Sequence, residues 1–207
     1  MPEHTLYAVP FTCSLAVHLT LAQQGLPTTL RWLSRGPRRQ ITGEAFAALN
    51  PKRKVPTLVL PDGEVLTEIV GVLLFLDEGA HPERPAAERR RLIEWLSFLA
   101  TELHKPVLAP AFDPAVSDEA RLDARDRLLP TVLEPLERAL AERETLLAGP
   151  EPTVADAYLL WGLLLLRNLW PETVTTPHLT AFRKRMMALP FVQQVIAVER
   201  EALAAAG

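Results

Sequence analysis

Residues 50–78 read NPKRKVPTLVLPDGEVLTEIVGVLLFLDE, and this stretch predicts a β-hairpin followed by a buried helix. Residues 57–60 are β-branched or aliphatic, as expected of a short strand. Residues 61–63, Pro-Asp-Gly, combine a fixed φ with a residue that tolerates positive φ, which is typical of a tight turn. Residues 64–66 then supply the returning strand.

The two ends of this hairpin present backbone groups that a ligand could bind. The loop before the first strand ends in Val55 and Pro56. At the other end Thr67 is the predicted N-cap of the helix, with Glu68 in its first turn. The helix start at Glu68 and Ile69 is rich in backbone N–H groups and therefore suited to an anion.

The rest of the chain predicts a mixed domain followed by a helical one. Up to residue 79 the predicted order is β-α-β-α-β-β-α, which makes residues 1–79 an α/β domain of thioredoxin-like arrangement. Residues 80–86 follow Gly79 and contain Pro82 and Pro85, and this composition predicts a linker. Residues 87–207 predict helices alone, so the expected fold is an α/β thioredoxin-like N-terminal domain plus an all-α C-terminal domain.

Three helical patterns in the second domain can be placed individually. One helix is expected from about residue 86 to residue 108. A long helix is expected over residues 117–148, capped by Ser117 and bent at two internal prolines. Thr153 and Asp156 have capping-box spacing at the start of a helix that is apolar nearly all round, and their predicted role is structural.

Composition excludes several function classes. The 207-residue chain is 48% hydrophobic and 23% charged, with a net charge of −3, so no general attraction to nucleic acid or an anionic membrane is expected. Its one cysteine precludes an intramolecular disulfide and favours a reducing compartment. The first residues do not resemble a signal peptide, and the longest apolar run is too short for a bilayer span. We therefore expect a cytoplasmic protein, and the excess of arginine over lysine favours a bacterial source.

Metal and nucleotide sites are not expected either. The sequence contains no phosphate-binding glycine motif and no Gly-x-Ser-x-Gly nucleophile motif. Its five histidines do not have metal-ligand spacing, and one cysteine cannot form a structural zinc site.

Cys13 is the first candidate for chemistry. It stands between a predicted strand and a predicted helix, in the segment PFTCSLAVH. A thiol at a helix start is expected to have a lowered pKa and an available thiolate. The alternative is a buried cysteine that packs as a small hydrophobic side chain.

His104 and Lys105 are the second candidate. Both lie late in a predicted helix, just before Pro106. They are either partly exposed cations stabilised by the helix dipole, or a cationic pair set against an anionic ligand or a thiolate.

Several strings in the chain, taken together, resemble bacterial beta-class glutathione S-transferases. They occur in the family's order and span the chain: Cys13-Ser14-Leu15-Ala16 with His18, Asn50-Pro51-Lys52, Val55-Pro56, Leu66-Thr67-Glu68, Thr101-Glu102-Leu103-His104-Lys105 and Thr153-Val154-Ala155-Asp156-Ala157-Tyr158.

The resemblance implies a glutathione site in the first domain. Pro56 would be cis, and Val55 would pair its backbone with the cysteinyl part of glutathione, as an added strand does. Glu68 and the amide of Ile69 would hold the γ-glutamyl end. Cys13 would face the glutathione sulfur, either stabilising its thiolate or forming a mixed disulfide with it.

The resemblance also implies contributions from the second domain and from a partner. His104 and Lys105 would approach the electrophile, and Ser97 occupies a position where the family has asparagine. Arg38 is the nearest match to the basic residue that meets the glycine carboxylate, and Lys54 replaces the usual glutamine. Glutathione would be the co-substrate, a small hydrophobic electrophile the second substrate, and a homodimer the assembly.

The departure at Ile69 is the most consequential, because the family usually has serine there. A hydroxyl bonded to a carboxylate contributes roughly 1.5–3 kcal/mol, so its absence predicts weaker glutathione binding.

The leading hypothesis is therefore a detoxifying glutathione transferase that conjugates, or reduces, small hydrophobic electrophiles. One alternative is a glutathione-dependent thiol-disulfide reductase that uses Cys13. Another is a non-catalytic binding or regulatory protein that kept the transferase fold. A maleylacetoacetate-isomerase-like enzyme is disfavoured, because Phe11 and Thr12 stand where that family has two serines.

Overall fold

A computed structural model describes residues 3–34, 41, 44–147 and 149–206. The chain divides into two compact units, one formed by Met1–Pro82 with Ala188–Gly207 and the other by Glu83–Met187. This division differs from the predicted one in its last part, because residues 188–207 lie in the first unit and not with the other helices of the C-terminal half.

The elements in chain order are β1 (His4–Ala8), α1 (Ser14–Gln23), β2 (Thr28–Trp32), α2 (Glu44–Leu49), β3 (Thr57–Val59), β4 (Val65–Thr67), α3 (Ile69–Ala80), α4 (Ala86–Phe98), a π-helical segment (Leu99–Leu108), a 3-10 turn (Pro110–Phe112), α5 (Asp118–Asp123), a second π-helical segment (Ala124–Leu128), α6 (Leu129–Glu142), α7 (Val154–Leu169), α8 (Pro177–Ala188) and α9 (Pro190–Ala206).

The first unit is built on a four-stranded mixed sheet with the order β2-β1-β3-β4. Strand β1 runs parallel to β2 and antiparallel to β3, and β3 forms a hairpin with β4. Gly63 takes a φ of +92° in the turn, as the Pro-Asp-Gly sequence predicts. The predicted hairpin is confirmed, and so is the predicted order of strands and helices up to α3.

The start of α3 differs from the prediction. Thr67 is not the N-cap, because it pairs with Thr57 as the last residue of β4 and is therefore extended. Glu68 is the N-cap, at a φ of +69°. One residue thus connects the strand to the helix, and a reversal over a single residue places Glu68 in a backbone conformation that L-residues rarely adopt.

The second unit is helical, but two predicted helices are divided. The helix expected over residues 86–108 is α4 followed by a π-helical segment that contains Pro106. Proline lacks an N–H and crowds the carbonyl one turn earlier, so the regular α-helical ladder does not pass through it. The long helix expected over residues 117–148 is likewise α5, a π-helical segment and α6. Ser117 caps α5 as predicted, since its Oγ accepts the N–H of Ala120 at 3.2 Å.

Helix α7 lies at the centre of the second unit. Every residue from Val154 to Leu163 is buried. The predicted capping box is confirmed: Asp156 Oδ2 accepts both the N–H and the hydroxyl of Thr153, each at 2.7 Å. Within the described ranges, no helix is both long and apolar enough to cross a membrane.

Candidate functional site

Cys13 lies at the start of α1, as its position in the sequence predicts. It is the N-cap residue of that helix and is half-buried. Its Sγ donates a hydrogen bond to the carbonyl oxygen of Val55 at 3.4 Å. The fold therefore joins the thiol to the loop at residues 50–56, two features that are 42 residues apart in sequence.

The backbone before Cys13 is fixed by buried hydroxyl groups. Thr12 Oγ1 and Ser14 Oγ both donate to the carbonyl of Val9, at 2.9 and 3.2 Å. The N–H of Val9 in turn lies 3.3 Å from Ser14 Oγ. This pattern closes the turn between β1 and α1 and leaves the Cys13 side chain outside the buried cluster.

A carboxylate from the end of the chain completes this turn. Phe11 has a φ of +55°, and its N–H donates to Glu199 Oε2 at 2.7 Å. The other oxygen of Glu199 lies 2.8 Å from His18 Nδ1 on α1. Glu199 was not predicted from the sequence, although it continues the i, i+3, i+4, i+7 spacing of the buried residues Val192, Val195 and Ile196.

The loop before the hairpin carries a cis peptide bond between Val55 and Pro56, as predicted. Asn50, 2% exposed, holds this loop from inside. Its Nδ2 donates to the carbonyl of Lys54 at 2.9 Å and to Thr57 Oγ1 at 2.8 Å. Asn50 thus holds the backbone of Lys54 before Val55 and the side chain of Thr57 after the cis bond. Asn50 belongs to a motif that resembles the family, but this role was not predicted from the sequence.

Glu68 and Ile69, the residues proposed for the γ-glutamyl end, differ in exposure. Glu68 is exposed, whereas Ile69 is buried. Lys52 Nζ donates to Thr67 Oγ1 at 2.8 Å and to Glu68 Oε1 at 3.1 Å. Lys54 is also exposed. The structure therefore adds Lys52 to this surface, whereas the cations expected from the sequence near the tripeptide are Lys54 and Arg38.

His104 belongs to the second unit and is held by aromatic residues of α7. Its Nδ1 lies 2.7 Å from the hydroxyl of the buried Tyr158. Its ring meets Trp161 edge-on, with ring centroids 4.7 Å apart. Gly162 lets the two elements approach, because a Cβ atom there would lie 2.8 Å from Leu103 Cδ2. Tyr158 thus fixes which imidazole nitrogen faces α7, a role that the sequence analysis did not assign.

The remaining predicted residues lie as follows. Ser97 and Lys105 are exposed on the second unit. Arg38 falls in residues 35–40, outside the described residues. Asp156 is completely buried, and this burial raises the pKa of its carboxyl although Thr153 and the N–H of Leu146 donate hydrogen bonds to it. Among the residues that the structure describes, no three histidine, cysteine or acidic side chains are grouped as metal ligands would be.

Comparison with known proteins decides the family. The glutathione S-transferase N-terminal domain matches residues 12–78, and the glutathione S-transferase C-terminal domain matches residues 98–190. Glutathione S-transferase GstA of Escherichia coli O157:H7 is 35% identical over 204 residues, which cover 94% of this chain and 98% of that protein. The chain belongs to the glutathione S-transferase family.

Solved structures of the family agree in fold. The bacterial beta-class glutathione S-transferase of Sphingomonas chungbukensis has a TM-score of 0.83 at 34% identity, covering 94% of this chain and 98% of its own. A sphingomonad glutathione S-transferase complexed with glutathione also has a TM-score of 0.83, at 32% identity and 95% and 98% coverage. The predicted family, fold class and enzyme class are therefore confirmed. The roles of individual residues stay predictions.

Proposed function

We propose that this glutathione S-transferase conjugates small hydrophobic electrophiles with glutathione at a site centred on Cys13. The observation that carries the proposal is the Cys13 Sγ, which lies at a helix start and within 3.4 Å of the Val55 carbonyl. That carbonyl belongs to the residue expected to pair with the cysteinyl part of glutathione. A thiol placed there would face the sulfur of the bound tripeptide.

The first unit offers a complementary group for each part of glutathione. The Val55 backbone would bind the cysteinyl residue as a short added strand. Glu68 and the N–H of Ile69 would bind the ammonium and carboxylate of the γ-glutamyl end. Lys54 and Arg38 are the proposed cations for the glycine carboxylate. His104, Lys105 and Ser97 are the proposed contributors from the second unit.

The rate would come from keeping glutathione as a thiolate beside the electrophile. The Cys13 S–H, now directed to the Val55 carbonyl, would donate to the glutathione sulfur and stabilise its negative charge. Holding thiolate and electrophile together converts a bimolecular step into one within the complex. The glutathione sulfur then forms the new bond to carbon, and the leaving group departs with the bonding electrons.

The test is a direct assay of the purified chain. Glutathione affinity is measured by calorimetry, and conjugation is followed with 1-chloro-2,4-dinitrobenzene against the uncatalysed reaction. The proposal expects saturable glutathione binding and turnover above background. Background turnover together with no heat of binding would overturn it.

A thiol-disulfide reductase is the second candidate, and the placement of Cys13 at a helix start favours it. In that reaction the Cys13 thiolate attacks the glutathione sulfur of a mixed disulfide and expels the substrate thiolate. A second glutathione then releases Cys13 and leaves as oxidised glutathione. With C13A, surviving conjugation and lost disulfide reduction would support this role. Loss of neither activity would exclude it.

Assembly and location follow from the same proposal. We propose a homodimer, as the resemblance to beta-class enzymes implies, and light scattering of the purified chain tests it. A reactive thiol that must stay reduced also favours the cytoplasm.

A further inference from the structure

We propose that Lys52 binds the α-carboxylate at the γ-glutamyl end of glutathione and replaces the hydroxyl that Ile69 cannot supply. This inference rests on the proposed function, since it names a further binding residue of the same site.

The Lys52 ammonium is already placed beside the γ-glutamyl subsite. Its Nζ lies 2.8 Å from Thr67 Oγ1 and 3.1 Å from Glu68 Oε1. Its backbone is fixed as well, because its N–H donates to the side chain of the buried Asn50 at 3.0 Å. The Lys52 side chain therefore reaches from the loop to the start of α3, and its backbone is held in place by Asn50.

The ligand's chemistry matches this pair of charges. The γ-glutamyl end carries an ammonium and a carboxylate on the same carbon atom. Lys52 and Glu68 present the opposite charges, with nitrogen and oxygen 3.1 Å apart. A zwitterion can bind such a pair with its ammonium on Glu68 and its carboxylate on Lys52, so that each charge gains a partner of opposite sign.

Exposure sets the size of the expected effect. The side chains of Lys52 and Glu68 are 51% and 62% exposed, so water and salt screen their interactions. A lysine contact in such a place is expected to change the glutathione dissociation constant by about threefold to fivefold. The effect should shrink as ionic strength rises.

The experiment combines variants with two altered tripeptides. Calorimetry measures the binding of three tripeptides. They are glutathione, γ-aminobutyryl-cysteinyl-glycine without the α-carboxylate, and glutaryl-cysteinyl-glycine without the α-amino group. The variants are K52Q and, as a matched control, K184Q, which removes an exposed lysine of α8 in the second unit. The K184Q dissociation constants should equal those of the unmodified chain.

We expect K52Q to weaken the binding of glutathione about threefold to fivefold and to leave the binding of the carboxylate-free tripeptide unaffected. Adding I69S to K52Q should restore part of the loss, because it returns a hydroxyl to the same place. Two results would overturn the role of Lys52 and leave the proposed function standing. One is that K52Q weakens the binding of glutathione and of the carboxylate-free tripeptide equally. The other is that K52Q binds glutathione as tightly as the unmodified chain or more tightly. If the unmodified chain binds no glutathione, the proposed function fails and this inference fails with it.

Discussion

His18 Nδ1 lies 2.8 Å from Glu199 Oε1, although 181 residues separate the two in sequence. Glu199 is fully buried and His18 is 8% exposed. The second oxygen of Glu199 accepts the N–H of Phe11, two residues before Cys13. One carboxylate of α9 therefore holds both the helix that Cys13 caps and the turn that leads to it.

Replacing this carboxylate should destabilise the fold and disturb the Cys13 turn. In E199A the Phe11 N–H and the His18 ring lose their acceptor inside the protein, which predicts a loss of about 3 kcal/mol in the free energy of unfolding. Glutathione affinity should fall too, because the turn is no longer fixed. Urea denaturation and calorimetry measure the two effects. E201A, at an exposed position of the same helix, is the control, and equal stability of E199A and E201A would contradict the argument.

Local sequence signals predicted the features that depend on local structure. The Pro-Asp-Gly turn, the Ser117 cap and the capping box at Thr153 each involve residues a few positions apart, so their chemistry can be read from the chain directly. The position of Cys13 at a helix start is of the same kind. The cis bond at Pro56 and the family came from resemblance, and both are confirmed.

The missed features depend on distant partners or on backbone geometry. Glu199 appears in sequence as a charged residue near the end of a helix, and only the fold supplies Phe11 and His18 as its partners. Tyr158 likewise meets His104 across 54 residues. The positive φ of Glu68 follows from a one-residue connection whose length depends on where β4 ends, and propensity does not determine strand ends.

Tyr158 should influence how the His104 ring proton divides between the two nitrogens, because its hydroxyl hydrogen-bonds one of them. Removing its hydroxyl in Y158F leaves Nδ1 without the hydrogen bond at 2.7 Å, so the ring can redistribute its proton between the two nitrogens. Nitrogen chemical shifts of His104 should change, and stability should fall by about 1 kcal/mol. Y7F changes the only other tyrosine and serves as the control. Unchanged His104 shifts in Y158F would contradict the assignment.

The capping box should be necessary for the stability of the second unit. Asp156 accepts hydrogen bonds from Thr153 and, at 2.8 Å, from the buried Leu146 N–H. D156A leaves these donors unsatisfied at the start of the central helix, so we expect a loss of about 3 kcal/mol in the free energy of unfolding. T153A removes one hydroxyl and should cost about 1 kcal/mol. Thermal and urea unfolding measure the stability of both variants. A smaller loss of stability in D156A than in T153A would contradict the role given to Asp156.

Glu137 should make stability depend on pH. Its carboxylate accepts the N–H groups of His178 and Leu179, at 2.9 and 2.8 Å, and the hydroxyl of Thr176 at 2.7 Å. Desolvation acts to raise the pKa of Glu137, but these hydrogen bonds outweigh it and hold the pKa below its ordinary 4.5. A pKa that is lower in the folded state than in the unfolded state adds stability at pH values above the unfolded-state pKa. This stability is lost as pH falls through the folded-state pKa.

E137Q should therefore be less stable than the unmodified chain by about 2 kcal/mol near neutral pH, because an amide cannot accept all three donors as a carboxylate does. The difference should stay constant down to a pH of about 5 and narrow below it, as glutamate in the unfolded chain becomes protonated. Urea denaturation of both proteins across this range measures the difference. E134Q alters an exposed glutamate of the same helix and should show neither effect. If the two proteins differ in unfolding free energy as much in acid as at neutral pH, the charge of the Glu137 carboxylate does not stabilise the start of α8.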